Sequence, residues 1–372
     1  MQPLQLSQSI KSAAKSSGFD WCGICAAVAP PGLNRFQEWL EAGFHGRMEY
    51  MERRSEAYAH PRHVLEGAKS IIMLTVGYDT QPPAKIGNSQ GRVSRYAWGE
   101  ADYHDLIHAR LKTLKKQILE WKPEASVRGV IDTAPLLERE FAVLAGLGWQ
   151  GKNTLLLNKQ VGSLFFLAAM LVDFELSPDP AHEASHCGTC RACLDACPTD
   201  AFVGPNILDA TQCISYLTIE LKEPIPVSLR KPMGDWVFGC DVCQEVCPWN
   251  RKSPRTAEPA FQPRVDLHPL ELLALFDLSD DEFRSRFRKT PLWRPRRRGI
   301  LRNAAIVLGN QGNPQAIPSL IKGLHDEEPL VRGACGWALH QFGTPHAKTA
   351  IAERLLVESD PAVIAELKNV SR

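Results

Sequence analysis

Hydrophobic and polar positions follow two periods along residues 1–176. Leu6, Ile10, Ala13 and Ala14 recur at helical spacing and the pattern stops at Gly18, which predicts a first amphipathic helix. Ser70 to Val76 is a short apolar run of strand length, the signature of a buried strand. Tyr103, Leu106, Ile107, Leu111, Leu114 and Ile118 mark one face of a longer helix that carries lysines on the other face and ends at Pro123. Arg128 to Asp132 reads as a short strand, Leu136 to Ala145 as a helix, and Ser163 to Val172 as a long buried strand. Mixed elements of this kind predict an α/β (α+β) N-terminal domain with its own core.

Beyond residue 176 the periodicity lapses. Ser177-Pro178-Asp179-Pro180 breaks the chain, and residues 177–256 carry so little apolar patterning that bound metal is expected to replace a core. From Leu270 the helical period returns, and two stretches match. Arg302-Asn303-Ala304-Ala305 precedes Gly312 and Pro314, while Arg332-Gly333-Ala334-Cys335 precedes Gly343 and Pro345. An offset of about 30 residues between paired helices predicts C-terminal α-helical HEAT-like repeats. The expected division is therefore 1–176, 177–256 and 257–372.

Composition adds what the chain is not. The 372 residues are 44% hydrophobic and 23% charged with a formal net charge of +1, ordinary for a globular protein and without global attraction to nucleic acid or anionic lipid. The start lacks a basic and apolar leader, and the longest apolar run, Leu164 to Val172, is about half of the ~20 residues a spanning helix needs. A cytoplasmic monomer with no membrane partner is expected.

The unusual feature is 11 cysteines, an odd number that fits no disulfide framework, eight of them between Cys187 and Cys247. Cys187, Cys190, Cys193 and Cys197-Pro198 match the bacterial ferredoxin run in every spacing. Cys213, Cys240, Cys243 and Cys247-Pro248 repeat it with the first gap stretched. In such runs the fourth cysteine serves the other cluster. One 4Fe–4S cluster is thus assigned to Cys187, Cys190, Cys193 and Cys247, the second to Cys197, Cys213, Cys240 and Cys243. Paired zinc sites are the alternative, disfavoured because zinc ribbons do not call for three cysteines in tandem followed by Cys-Pro. Cys22, Cys25 and Cys335 lie in apolar stretches and read as packed thiols rather than as a redox pair. No G-x-G-x-x-G opens a helix after a strand and no P-loop is present, so a dinucleotide site is not supported.

Several ordered segments together resemble one family, epoxyqueuosine reductase. They are Ser94-Arg95-Tyr96-Ala97-Trp98-Gly99 with Asp102-Tyr103-His104, Val130-Ile131-Asp132-Thr133-Ala134-Pro135, and Gly148-Trp149-Gln150-Gly151-Lys152-Asn153. The eight cysteines follow, with Cys213-Ile214-Ser215-Tyr216, Gly239-Cys240-Asp241-Val242 and Cys247-Pro248-Trp249-Asn250. The resemblance implies an N-terminal cobalamin-binding domain, two 4Fe–4S clusters fed by an external electron donor, and a tRNA substrate carrying epoxyqueuosine at the wobble position. It implies Asp132 as proton donor and Ser94, Asp132, Leu156, Ser215, Asp241 and Val242 as corrinoid contacts. Some members carry cysteine at the position of Ser94. An arginine found near the corrinoid in some members has only Tyr58 as its nearest counterpart. Without the resemblance, Asp132 would read as a loop-capping aspartate before Thr133 and Pro135.

The local basic patch that a neutral chain needs in order to meet RNA lies at Arg284, Arg286, Arg288 and Lys289, then Trp293-Arg294-Pro295-Arg296-Arg297-Arg298 and Arg302. Arg296, Arg297, Arg298 and Arg302 are expected to contact tRNA, against the plainer reading of a solvated helix face. Two rival functions remain: a corrinoid iron–sulfur reductase of a small molecule, such as a reductive dehalogenase, and a ferredoxin-type electron-transfer module.

Overall fold

The computed structural model describes residues 2–370, with side chains to residue 368. The chain packs as two interleaved units, each drawing on all three of the stretches 1–176, 177–256 and 257–372. One comprises Met1–Thr80, Asp102–Ala210 and Val242–Phe261, the other Gln81–Ala101, Thr211–Asp241 and Gln262–Arg372. The cysteine-rich region is divided between them, and its part in the second unit buries Ile214, Leu217, Val237 and Phe238.

The first unit is built on a four-stranded antiparallel sheet in the order Trp21–Ala26, Ser70–Gly77, Phe165–Val172, Val127–Val130. Ser70–Gly77 is buried along nearly its whole length, which a strand needs to be when both faces are covered. On one face Ile71, Met73, Val130 and Ala169 pack with Phe141 and Ala142 of the helix Glu138–Leu144. The helices Pro3–Ser16 and Tyr103–Trp121 pack on the sheet and on each other. Gly129 allows this approach, since a Cβ there would sit 3.1 Å from Leu111. The two apolar helical stripes and the three strands predicted by periodicity are all present. Caps decide their bounds: Asp102 accepts from the His104 amide, so the long helix begins at Tyr103.

The break at Ser177–Pro180 is tied down. Ser177 N–H donates to Ser7 Oγ at 2.9 Å, and the Asp179 carboxylate accepts from Ile24 N–H at 2.8 Å and pairs with Lys11. Cys22 and Cys25 sit on the strand Trp21–Ala26, where burial pushes each thiol up to about 12, the packed thiols expected.

In the second unit Gln90–Val93 pairs in parallel with Trp236–Phe238 and antiparallel with Leu270–Glu271. The tail is helical, Arg296–Gln311, Ile317–Gly323, Pro329–Phe342, Pro345–Val357 and Pro361–Val370. Gly312 and Gly343 end equivalent helices in the left-handed region, and Asn313 and Thr344 cap the helical turns after them, so the two repeats punctuate alike. Cys335 is fully buried among them, as expected. No helix among the described residues is long and apolar enough to cross a membrane.

Candidate active site and cluster cradle

Cys187, Cys190, Cys193 and Cys247 line one cavity of about 240 Å³ together with Lys152, His186 and Trp249. The fourth cysteine of the second run therefore joins the first three of the first run, as the ferredoxin spacing requires. Two short helices, Ala192–Asp195 and Val242–Glu245, pack together and bring the runs side by side. Burial and the neighbouring thiols raise the Cys193 and Cys247 thiols above their ordinary value, so loading iron must displace protons.

The residues fit a cubane. Among the described residues no three Cys, His, Asp or Glu side chains converge as a single metal ion needs, yet these four thiols surround a common space. A zinc ion draws four sulfurs to ~2.3 Å from one point; a 4Fe–4S cube holds them apart around its corners. The indole N–H of Trp149, buried against Cys247 and Cys187, has no hydrogen-bond partner in the protein, which suits a neighbour bearing sulfur acceptors.

The segment Gly148–Asn153 supplies this cradle. Lys152 Nζ donates to the carbonyls of Gly188 at 2.7 Å and Cys190 at 2.8 Å, fixing the turn that carries two ligands. Asn250, three residues after Cys247, accepts from Ser163 N–H at 2.7 Å and donates to Ser163 Oγ at 3.0 Å and to the Gln244 carbonyl at 2.8 Å. Gln244 donates in turn to the Ser163 carbonyl at 3.0 Å and to Tyr78 at 3.1 Å. The turn bearing Cys247 is thus bolted to the start of a core strand. Cys197, also in the first unit, accepts from Ala201 N–H at 3.3 Å.

Asp132 ends the Val127–Val130 strand in a turn with φ +29°, a conformation rare for a residue with a side chain. Three groups hold it there. Its N–H donates to Glu138 Oε1 at 2.8 Å, the Tyr103 hydroxyl donates to Oδ2, and His104 Nε2 lies 2.8 Å from Oδ1. His104 Nδ1 lies 2.6 Å from Asp102 Oδ1. Tyr103 is stacked between His104 and Phe166, with centroids 4.2 Å and 4.1 Å away. Burial disfavours the imidazolium, but the bonds to Asp102 and Asp132 outweigh it and bring His104 up to about 9. Burial likewise pushes the Asp102 carboxyl up, and the His104 bonds more than reverse this. Glu138 is raised to about 8 by burial and then by the Asp132 charge. His104 and Glu138 carry no metal or nucleophile signature; the only sequence sign of them is the Asp102-Tyr103-His104 segment.

Of the other corrinoid candidates, Leu156 in the first unit is buried on the hairpin strand Leu156–Leu157, and Val242 opens a ligand-bearing helix. Tyr58 is buried against Phe36. In the second unit Ser94 and Asp241 are brought together. Ser94 N–H donates to the Phe238 carbonyl at 2.8 Å, its hydroxyl donates to Asp241 Oδ1, and Arg95 N–H donates to Oδ2 at 2.8 Å. Gly239, at φ +67°, makes the approach possible: a Cβ there would lie 2.5 Å from that of Ser94. Its N–H donates to Thr218 Oγ1 at 2.9 Å, joining the loop of Cys240 to the helix Ile214–Ile219 that carries Ser215 and follows Cys213.

Two of the four expected tRNA-contacting arginines do other work. Arg302 is 1% exposed, and its guanidinium donates to the carbonyls of Leu217, Leu221 and Glu223 at 2.6–2.7 Å and to Asn303. A phosphate cannot reach it. Arg297 donates to Asp326 at 2.6 Å and to the Leu278 carbonyl at 2.9 Å, so its charge is neutralised within the protein. Arg296 is exposed with its guanidinium 4.1 Å from the Trp293 ring centroid, and Arg298 is half-buried, 3.9 Å from Glu328. Arg284, Arg288 and Lys289 are exposed.

Comparison with known proteins agrees with this arrangement. A 4Fe-4S double cluster binding domain model matches residues 186–250, one described as "Epoxyqueuosine reductase QueG, DUF1730" matches 59–133, and a HEAT-repeat model matches 297–369. The epoxyqueuosine reductase of Pseudomonas aeruginosa is 45% identical over 92% of this chain and 96% of its own, and that of Escherichia coli 40% over 91% and 89%. A crystal structure of epoxyqueuosine reductase with an epoxyqueuosine-modified tRNA-Tyr stem loop has TM-score 0.92 at 30% identity, covering 99% of this chain and 98% of that one. The Bacillus subtilis enzyme, with its catalytic aspartate loop swung out of the active site, has TM-score 0.92 at 29% identity over the same shares. With nine-tenths of its length matched at such identity, the chain belongs to the epoxyqueuosine reductase family.

Proposed function

We propose that this protein reduces epoxyqueuosine to queuosine in the anticodon loop of cytoplasmic tRNA, as a monomer, with Asp132 as proton donor and cobalamin between the clusters and the substrate. Two electrons and two protons convert the epoxide to a carbon–carbon double bond and water, so an oxidoreductase needs an electron path and an acid. Relatives named for this activity over nine-tenths of the chain decide against a small-molecule reductase and a bare electron carrier. The electrons come from an external one-electron donor by way of the two clusters.

The corrinoid candidates suit a macrocycle rimmed by amides: Leu156 and Val242 are aliphatic, Ser94 and Ser215 bear hydroxyls, Asp132 and Asp241 bear carboxylates. When bound, cobalamin supplies a low-potential cobalt centre able to pass electrons to an epoxide carbon. Ser94 is committed to Asp241 as a donor, so its role is to order that carboxylate and not to ligate cobalt. Asp241 holds the turn after Cys240 through Arg95 N–H.

The observation that carries the reading is the turn at Asp132. Its side chain is 38% exposed, accessible to a splayed-out wobble base, while both oxygens are held by Tyr103 and His104. An opening epoxide leaves an alkoxide-like oxygen, and an acid held beside it lowers the barrier. Arg296, Arg298 and the exposed Arg284, Arg288 and Lys289 supply the phosphate contacts, with Trp293 backing Arg296. The test is nucleoside mass analysis of tRNA from a strain lacking the gene. Epoxyqueuosine accumulates, the wild-type gene restores queuosine, and Asp132→Asn does not. Restoration by Asp132→Asn rejects the donor role; no accumulation rejects the substrate.

A further inference from the structure

A carboxylic acid that gives up a proton in each turnover must regain one before the next. Asp132 has two neighbours able to donate, and they are unequal. The Tyr103 hydroxyl ends in a stack between His104 and Phe166. His104 bridges two carboxylates through its two ring nitrogens, Nδ1 to Asp102 at 2.6 Å and Nε2 to Asp132 at 2.8 Å. Its side chain is also 24% exposed, so the ring can exchange protons with water.

We propose that His104 is the proton reservoir of the site: it passes the proton on Nε2 to Asp132 Oδ1 between turnovers, and Asp102 holds the ring in the orientation that permits the transfer. The inference rests on Asp132 being the donor. The step balances without electrons. The Nε2–H bond breaks and an Oδ1–H bond forms, the imidazolium becomes the neutral ring that keeps its proton on Nδ1 facing Asp102, and the carboxylate becomes the acid. Water then returns a proton to Nε2. His104 is a positioning and supply residue that acts through Asp132.

The charges around the ring keep it loaded with the proton to be passed on. Asp102 precedes the helix, Asp132 faces it from the strand-end turn, and Glu138 stands behind Asp132 on its N–H. From the neighbouring strand the apolar Phe166 stacks on Tyr103, and Phe261 packs behind that. Glu258, before Phe261, is paired with Arg110. Arg54 donates to the Thr133 carbonyl at 3.0 Å, beside the turn, and Asp105 on the same helix is exposed. Two carboxylates in direct contact dominate, which is why the imidazole titrates at about 9 and is loaded at neutral pH.

The variant His104→Gln can still donate to Asp132 but has no proton to transfer. In the full-length enzyme loaded with clusters and cobalamin, acting on an epoxyqueuosine stem loop, kcat should fall at least ~10-fold with KM unchanged. Wild-type activity should be present below, and lost above, about pH 9, and His104→Gln should lose this alkaline limb. Asp102→Asn should move the limb, and the His104 ring resonance in an NMR titration that needs no turnover, toward the ordinary 6.5. His104→Gln with wild-type kcat and an intact alkaline limb overturns the proposal, as does a wild-type ring that titrates at the ordinary value. Activity in Asp132→Asn sinks the donor reading itself; an inactive Asp132→Asn beside an unaltered His104→Gln sinks the reservoir alone.

Discussion

Replacing Arg302 should unfold the protein more readily and leave its RNA affinity alone, although it stands at the end of the most basic stretch in the chain. Arg302→Met keeps an unbranched apolar stem but loses the guanidinium and donates nothing. The carbonyls of Leu217 and Leu221, now 2.6–2.7 Å from the guanidinium, lose their donor in a site where Arg302 is 1% exposed, while that of the exposed Glu223 can turn to water. Each buried carbonyl left unpaired costs about 1–3 kcal/mol. Against this stands relief from burying a charge, which here is large: burial and the charges of Arg230 and Arg298 bring the guanidinium down to about 9. The net loss is then roughly 3 kcal/mol, two unpaired buried carbonyls less the relief of the charge. In a unit of this size that lowers the melting temperature by roughly 10 °C. Circular dichroism melts give the first quantity and fluorescence anisotropy with a labelled anticodon stem loop the second, both beside Arg296→Ala. The exposed Arg296 variant should melt within about 0.5 kcal/mol of wild type and bind more weakly, with a shallower salt dependence. An Arg302→Met protein that melts like wild type but has lost RNA affinity would refute the reasoning.

Other consequences can be checked as directly. Cys247→Ala should remove the cluster otherwise held by Cys187, Cys190 and Cys193, halving the iron content, although it belongs to the second cysteine run; retained iron would break the interleaved assignment. Gly239→Ala drives a Cβ against Ser94 at a backbone angle that favours glycine, so corrin absorption after reconstitution should drop while far-UV dichroism persists. Glu358 is held at about 2, chiefly by its bond from Arg332 with Arg354 assisting. Because its folded value lies below the ordinary 4.5, its stabilisation is complete above that value and is lost as pH falls toward 2. Glu358→Gln should flatten acid denaturation in that window.

Legibility in the sequence depends on how local the physics is. Cysteine spacing is legible because a few residues of chain must wrap one cube, so even the place of Cys247 beside Cys187, Cys190 and Cys193 could be read from it. Buried strands and amphipathic helices showed through their periods. Arg302 misleads because a run of arginines states charge but not direction. The repeat held the missing signal: Arg332, its counterpart, also donates to backbone carbonyls, those of Asp326 and Glu327 at 2.9 Å. An arginine kept on the inward face of both copies is a structural part of the repeat. The Asp132 network was hidden for another reason. It depends on a positive φ and on Glu138 reaching back to an amide, and neither leaves a mark in composition or period. The two-unit division was invisible because the pairing of Gln90–Val93 with Trp236–Phe238 joins segments far apart in sequence.

The link made by Arg302 and Asn303 also sets an order of events during synthesis. Leu217, Leu221 and Glu223 lie between Cys213 and Cys240, and the guanidinium that satisfies their carbonyls is encoded 79–85 residues later. Asn303 supplies Thr218 and Val237 in the same way. While the ribosome is still making that stretch, the segment bearing those two cysteines has no means of settling into its final shape. On the proposed ligand assignment, iron loading at Cys213 and Cys240 is coupled to emergence of the first repeat helix, and a nascent chain halted before Arg302 should be a poor acceptor for its second cluster.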